Sequence, residues 1–220
     1  MGKWGDRTPY GDVVLNLGLW YLVKAANELL SQPKFGGEDG ELTIVQGCWS
    51  AADASKGTHS GMDALDTTAH NWQNREKVFR LLGTAYWHRA LLPGVWGPHC
   101  HGVVDGGAAS LPAQQQVTMY HQRLNGLADM RPDPGYRMVV FPQFVFPEKA
   151  IGRPGDYWTI LMTRAHAQPT PHSPLLKVYK PGEYFKVVAV VNVAGHYWGI
   201  NPRGKCVRME RLTRKNPNGK

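Results

Sequence analysis

The stretch whose reading decides the fold is "GTHSGMDALD", residues 57–66, taken together with "PHCHGVVD", residues 98–105. In the first, His59 and Asp66 are seven apart with Gly61 between them. Imidazole and carboxylate are both good zinc ligands, and a glycine lets the chain bend so that two side chains converge. In the second, an extended strand would send His99 and His101 to one face and Cys100 to the other, because side chains alternate along a strand. One of the two histidines can complete a His–Asp–His site while its neighbour stays within reach of a ligand on the metal. Three protein ligands leave a fourth position open, the arrangement of catalytic rather than structural zinc. Each half alone is a weak signal, since an isolated histidine is more often packed or solvated than a ligand; the two in this order are much stronger.

Around these motifs the periodicity predicts mixed helices and strands. Residues 12–31, "DVVLNLGLWYLVKAANELLS", read as a helix capped by Asp12, with Pro33 just beyond its end. The β-branched run "LTIVQG" (42–47) reads as a strand, and "NWQNREKVFRLLG" (71–83) as a helix stopped by Gly83. "TAYWHRA" and "HCHGVVD" are short strands, and "SLPAQQQVTMYHQRLNGL" (110–127) is a helix with proline in its first turn. The Pro- and Asp-rich "ADMRPDPGYR" (128–137) marks a boundary. Beyond it, alternating apolar positions separated by PG, AG and PRG turns predict a small barrel of short strands. The expected fold class is α+β, with a zinc domain over 1–130, a Pro-rich linker and connecting strands over 131–160, and an all-β barrel with a basic tail over 161–220.

Composition bounds the function. A chain of 220 residues, 42% hydrophobic and 19% charged, is globular rather than disordered. No apolar run approaches the roughly 18 residues of a membrane span. "MGKWGDRTPYGD" has no apolar core before a cleavage site, so no Sec signal is expected. The net charge of +8 favours polyanions, either nucleic acid or an anionic cell envelope. No recognised nucleic-acid motif accompanies that charge, so nucleic acid is not the expected partner. The basic C-terminal run "RGKCVRMERLTRKNPNGK" reads equally well as a solvated tail. Cys48, Cys100 and Cys206 are odd in number and form no CxxC, which excludes a disulfide framework and a cysteine-based zinc knuckle. His70, His88 and His121 read as surface or core residues. Of the tryptophans flanking the motifs (Trp49, Trp72, Trp87 and Trp96), Trp96 is the candidate to line a groove, the usual role of the others being core.

The H-x6-D followed by HxH resembles the M15 family of zinc peptidases, the D,D-carboxypeptidase and L-alanyl-D-glutamate endopeptidase fold shared with Hedgehog signalling domains. The text "LTIVQGCWSAADASKGTHSGMDALD" with "AYWHRALLPGVWGPHCHGVV" is similar to the actinobacterial and actinophage branch, over roughly residues 12–128. The resemblance implies His59, Asp66 and His101 as zinc ligands, His99 beside the scissile carbonyl or its oxyanion, and Gln46 facing the substrate. It implies a peptide stem of peptidoglycan as substrate, cut by zinc-activated water. One position departs: the family carries Asp or Glu three residues before the last ligand histidine, and here that residue is Pro98. General acid–base help is worth about 10²–10⁴-fold in rate. Asp63, Glu38, Asp39 and Asp105 are the nearby acids, with Asp63 in the ligand loop the first choice as substitute.

Residues 163–212 resemble a bacterial SH3 domain, on a turn at Tyr179 to Gly182, a strand at Gly195 to Ile200, and the closing "GKCVRMERL". The resemblance implies wall binding through Tyr179, Tyr184, Tyr197 and Trp198, with Arg203, Lys205 and Arg208 for an anionic polymer; the same aromatics would also fill a small barrel. The whole then has the layout of a phage lysin or virion-associated wall hydrolase, located in the virion or in the host cytoplasm before release to the wall. The competing reading is a zinc-fold scaffold or wall binder in a virion tail or capsid, contacting other virion proteins, with catalysis lost at position 98.

Overall fold

The computed structural model describes residues 2–50, 57–89, 97–105, 110–126, 131–147 and 152–216. The chain opens not on a helix but on a hairpin, β1 (Arg7–Tyr10) with β2 (Val13–Asn16). Gly11, at φ 55°, takes the first position of a two-residue turn, which the primed hairpin turns require. Val13 and Val14 fit the strand better than a first helical turn. The helix α1 (Leu17–Leu30) is therefore capped by Asn16 rather than Asp12; Asn16 Oδ1 accepts from the backbone N–H of Leu19 at 2.7 Å. Its buried face, Leu19, Leu22, Val23, Ala26, Leu29 and Leu30, follows the three-and-four spacing read from the sequence.

The sheet that carries the site is antiparallel, in the order β3 (Ile44–Gln46), β4 (Ala64–Thr68), β6 (His99–Val104), β5 (Thr84–Arg89). One face holds Leu65, Tyr86 and Cys100 and packs into the main core with α1 and α2 (Trp72–Leu81). Phe79 of α2 stacks on Tyr86 with ring centroids 4.5 Å apart. The other face holds Ala64, Val103, Ala85 and Trp87, covered by Ala113, Val117 and Tyr120 of α3 (Leu111–His121). Gly83 ends α2 at φ 87°, and a Cβ there would lie 2.5 Å from the backbone nitrogen of Phe144, so conformation and crowding both demand glycine. Arg80, fully buried, pairs with Glu76 and Asp133 at 2.7 Å each and donates to the carbonyls of Tyr86 and Tyr136, tying residues 133–136 to α2.

The rest is all-β: β7 (Gln143–Phe144), β8 (Gly155–Thr159), β9 (Thr163–His166), β10 (Leu175–Tyr179), β11 (Tyr184–Val187), β12 (Ala189–Val193), β13 (His196–Ile200), β14 (Cys206–Arg208) and β15 (Leu212–Thr213). They form a six-stranded sheet, β10-β9-β14-β13-β12-β7, and a three-stranded sheet, β11-β8-β15. Within the connecting stretch 136–146 only two residues pair as a strand; Pro142, which has no N–H to give, directly precedes them. Val145, Tyr157, Phe185, Val187, Val190 and Val207 fill the space between the sheets. Val191, Trp198, Ile200 and Cys206 belong instead to the core that α1 and α2 share. The protein is thus mixed α and β, with three helices and several antiparallel sheets among the described residues. Among those residues no helix is long and apolar enough to cross a membrane.

Candidate metal centre

Strand pairing assembles the site. Asp66 stands opposite His101, and Thr68 opposite His99, in the β4–β6 ladder; Trp87 faces His101 and Arg89 faces His99 in the β5–β6 ladder. Cross-strand partners project to the same side, so all of these lie on the face that α3 covers. Gln46 pairs with Asp66 from β3. His59 arrives from a 3-10 turn, Thr58–Ser60, held by the backbone N–H of Ser50 on the His59 carbonyl and by Ser110 Oγ on the Thr58 carbonyl. Gly61 is not the bend the sequence pointed to: its backbone is ordinarily extended. Glycine is needed there because a Cβ would come within 2.9 Å of the Ser110 nitrogen.

His59, Asp66 and His101 are 1%, 6% and 4% exposed, and their donor atoms are close enough to share one ion. His59 Nε2 is 3.3 Å from His101 Nδ1 and 3.3 Å from Asp66 Oδ1. Two ligands bound to one zinc at about 2.05 Å with a tetrahedral angle stand about 3.3 Å apart. The third edge, His101 Nδ1 to Asp66 Oδ1, is 2.7 Å, a hydrogen-bond length. His59 Nδ1 lies 3.1 Å from the Gly47 carbonyl, which can only accept, so Nδ1 carries the proton and the Nε2 lone pair faces the other two groups. Burial pushes the Asp66 carboxyl up, but the two imidazoles outweigh it and hold it well below the usual carboxylate range. Burial also lowers the proton affinity of His101, against the opposing pull of Asp66. An ionised carboxylate converging with two imidazole nitrogens is a donor set that zinc takes, so the residues fit it.

The other expected site residues lie in several places. His99 is half-buried at the edge of the cluster; its Nδ1 donates to the Gly97 carbonyl at 2.9 Å, and its Nε2 is 4.0 Å from Asp66 Oδ2. Pro98 is exposed. Gln46 is buried and donates to Ser50 Oγ at 2.8 Å. Trp96 lies outside the described residues. Asp63 is turned toward the N-terminal hairpin, where its Oδ1 accepts from Trp4 Nε1 at 2.7 Å and Asn16 Nδ2 at 2.9 Å. Glu38 is engaged by Arg75 and Asp105 by His121, each at 2.7 Å, while Asp39 is exposed. Tyr179 and Trp198 are buried, yet Trp198 lines a cavity of about 480 Å³ with Met162, Arg164, His166 and Arg208. Tyr197 lines another of about 300 Å³ with Tyr157 and Arg214. Tyr184 is exposed and donates to Asp156.

Two residues at the site were not anticipated. Gln116 of α3 places its side-chain oxygen 2.8 Å from His101 Nε2. Arg89 brings a cation to the same face, and its charge lowers the proton affinity of His101. No sequence signal marked either: Gln116 is one of three consecutive glutamines, and Arg89 ends a strand whose partner depends on long-range pairing.

No family model matches the chain, and no curated protein matches it. Among solved structures, the NMR solution structure of lysostaphin is similar at 11% identity, over 76% of this chain and 71% of that one, with a TM-score of 0.24. A likeness that loose decides neither fold nor chemistry.

Proposed function

We propose that this chain is a zinc-dependent hydrolase of peptidoglycan stem peptides, of the M15 type with its Hedgehog-like zinc fold, serving as a phage lysin or virion-associated hydrolase. The observation that carries the reading is the convergence of His59 Nε2, Asp66 Oδ1 and His101 Nδ1, none more than 3.3 Å from another. Zinc held there would supply Lewis acidity, polarising an amide carbonyl and making water acidic near neutral pH.

The chain's own residues supply the rest. Because His99 Nδ1 donates to the Gly97 carbonyl, Nε2 is the nitrogen that carries the lone pair, 4.0 Å from Asp66 Oδ2 at the edge of the cluster. That nitrogen would take the proton of the attacking water as the C–O bond forms, steady the oxygen on which negative charge develops, and return the proton to the amide nitrogen as the C–N bond breaks. Arg89, opposite His99, adds a fixed positive charge to that face. Gln46 lines the floor beside Asp66. In the C-terminal part, read as an SH3-like wall-binding module over residues 161–220, the larger cavity combines Arg164, Arg208 and Arg211 with Met162 and Trp198. Cations beside apolar surface suit an anionic wall peptide. The test is zinc content together with hydrolysis of purified peptidoglycan: His101→Ala should lose both, and freshly purified wild-type protein devoid of zinc would sink the reading.

A second reading is favoured by Pro98, an exposed residue that can neither accept nor give a proton where the resemblance implies an acid. In it the zinc fold is kept as a wall-peptide binder or scaffold in a virion tail or capsid. Full zinc with no turnover, and turnover gained on Pro98→Glu, would favour this over the enzyme.

A further inference from the structure

His101 touches two partners of opposite kind. Its Nδ1 faces Asp66 Oδ1 at 2.7 Å, and its Nε2 faces the Gln116 side-chain amide at 2.8 Å through Oε1. A neutral imidazole has one proton for two nitrogens. With the amide oxygen presented, the proton sits on Nε2 and donates to Gln116, so Nδ1 is bare. Since His59 Nε2 is bare as well, three acceptor atoms then face one another: the two nitrogens and Asp66 Oδ1. Such a set needs a cation between its members. With the amide turned about its last torsion, its NH2 donates to Nε2; the proton moves to Nδ1 and donates to Asp66, a satisfied arrangement without metal. A carboxylate at position 116 would serve only the first state and an apolar side chain neither. An amide serves both.

We propose that Gln116 is a positioning residue that selects the tautomer of His101, presenting its oxygen when the His59–Asp66–His101 site is loaded and its NH2 when it is not. This rests on the metal-site reading above. Gln116 is held over the strand by α3, with its Cβ at a crowded spot: a Cβ built on Gly126 would lie 3.2 Å from it. The hydrogen bond to His101 Nε2 sets where the amide stands, and turning its last torsion exchanges oxygen for NH2 at that point.

The test uses the full chain. Long-range ¹H–¹⁵N NMR of the histidine rings should find the His101 proton on Nδ1 in chelator-treated protein and on Nε2 after zinc is added. Competition titrations should show zinc bound about 10–100-fold more weakly by Gln116→Leu, while Gln116→Glu, which keeps an acceptor, stays within a few-fold of wild type. One unchanged tautomer in both states, or wild-type zinc affinity in Gln116→Leu, overturns the proposal while leaving the metal site standing. Wild-type protein that binds no zinc overturns the metal reading, and this one with it. Should Gln116→Leu fail to fold, Gln116→Met, of like length and without an amide, takes its place in the titration, with the same loss of about 10–100-fold expected and wild-type affinity overturning the proposal.

Discussion

Replacing Asp66 by asparagine keeps the shape of the cluster and removes the charge on which both imidazoles converge. In the chelated protein the new amide can donate to His101 Nδ1, 2.7 Å away, so the strand pairing should hold and stability should change little. Zinc binding should not survive as well. Free zinc at about 100 times its Kd stabilises a folded protein by about 2.7 kcal/mol. For a chain of 220 residues, each kcal/mol moves Tm by about 2–4 °C, so wild type should gain roughly 5–11 °C. If asparagine weakens binding about 100-fold, the upper end of what even an outer-shell change produces, the same zinc concentration only half-fills the site. The gain then falls to about 0.4 kcal/mol, or about 1–2 °C. Thermal unfolding followed by circular dichroism, in zinc and in chelator, reads both numbers. An equal zinc-induced shift in wild type and Asp66→Asn would refute Asp66 as a ligand.

Asn16→Ala removes the cap of α1 and a donor to the buried carboxylate of Asp63; urea unfolding should register a loss of about 2–4 kcal/mol, the sum of a cap and a broken charged hydrogen bond. Arg80→Met leaves Glu76 and Asp133 buried without their cation and should destabilise by about 3–5 kcal/mol; the Met variant with Glu76→Gln added should recover part of that loss. Burial raises the Asp105 carboxyl, against the opposing effect of His121. A raised folded-state pKa gives stability that is present at low pH and lost as pH climbs through that value. Asp105→Asn should therefore match or exceed wild type in urea at pH 7, and the gap should close on acidification toward pH 3.

Much of the site sheet is legible in the sequence because its signals are local. The alternation in "HCHG" that sets His101 apart from Cys100 needs only a strand, and Gly83 stops α2 by its own backbone. The start of α1 is misread because Asp12 offers a good cap, while the competing hairpin draws on pairing between Arg7–Tyr10 and Val13–Asn16. Asp63 looks available as an acid from its place in the ligand loop, yet Trp4 and Asn16, 59 and 47 residues earlier in the chain, take its carboxylate. Gln116 is silent for the same reason. Its role exists only once α3 lies across β6, and nothing within "QQQ" encodes that docking.

Strands β4 and β6 give one set of side chains to the core and the next set to the cluster. A slip of a single residue would put Thr67 and Cys100 where Asp66 and His101 now meet, and bury a carboxylate against Phe79 and Tyr86. The greasy side of each strand thus acts as an alignment key for the polar side. The converse also holds: changes confined to the polar side, at His99 for instance, leave that key intact, so a descendant of this chain can discard its chemistry and still keep its shape.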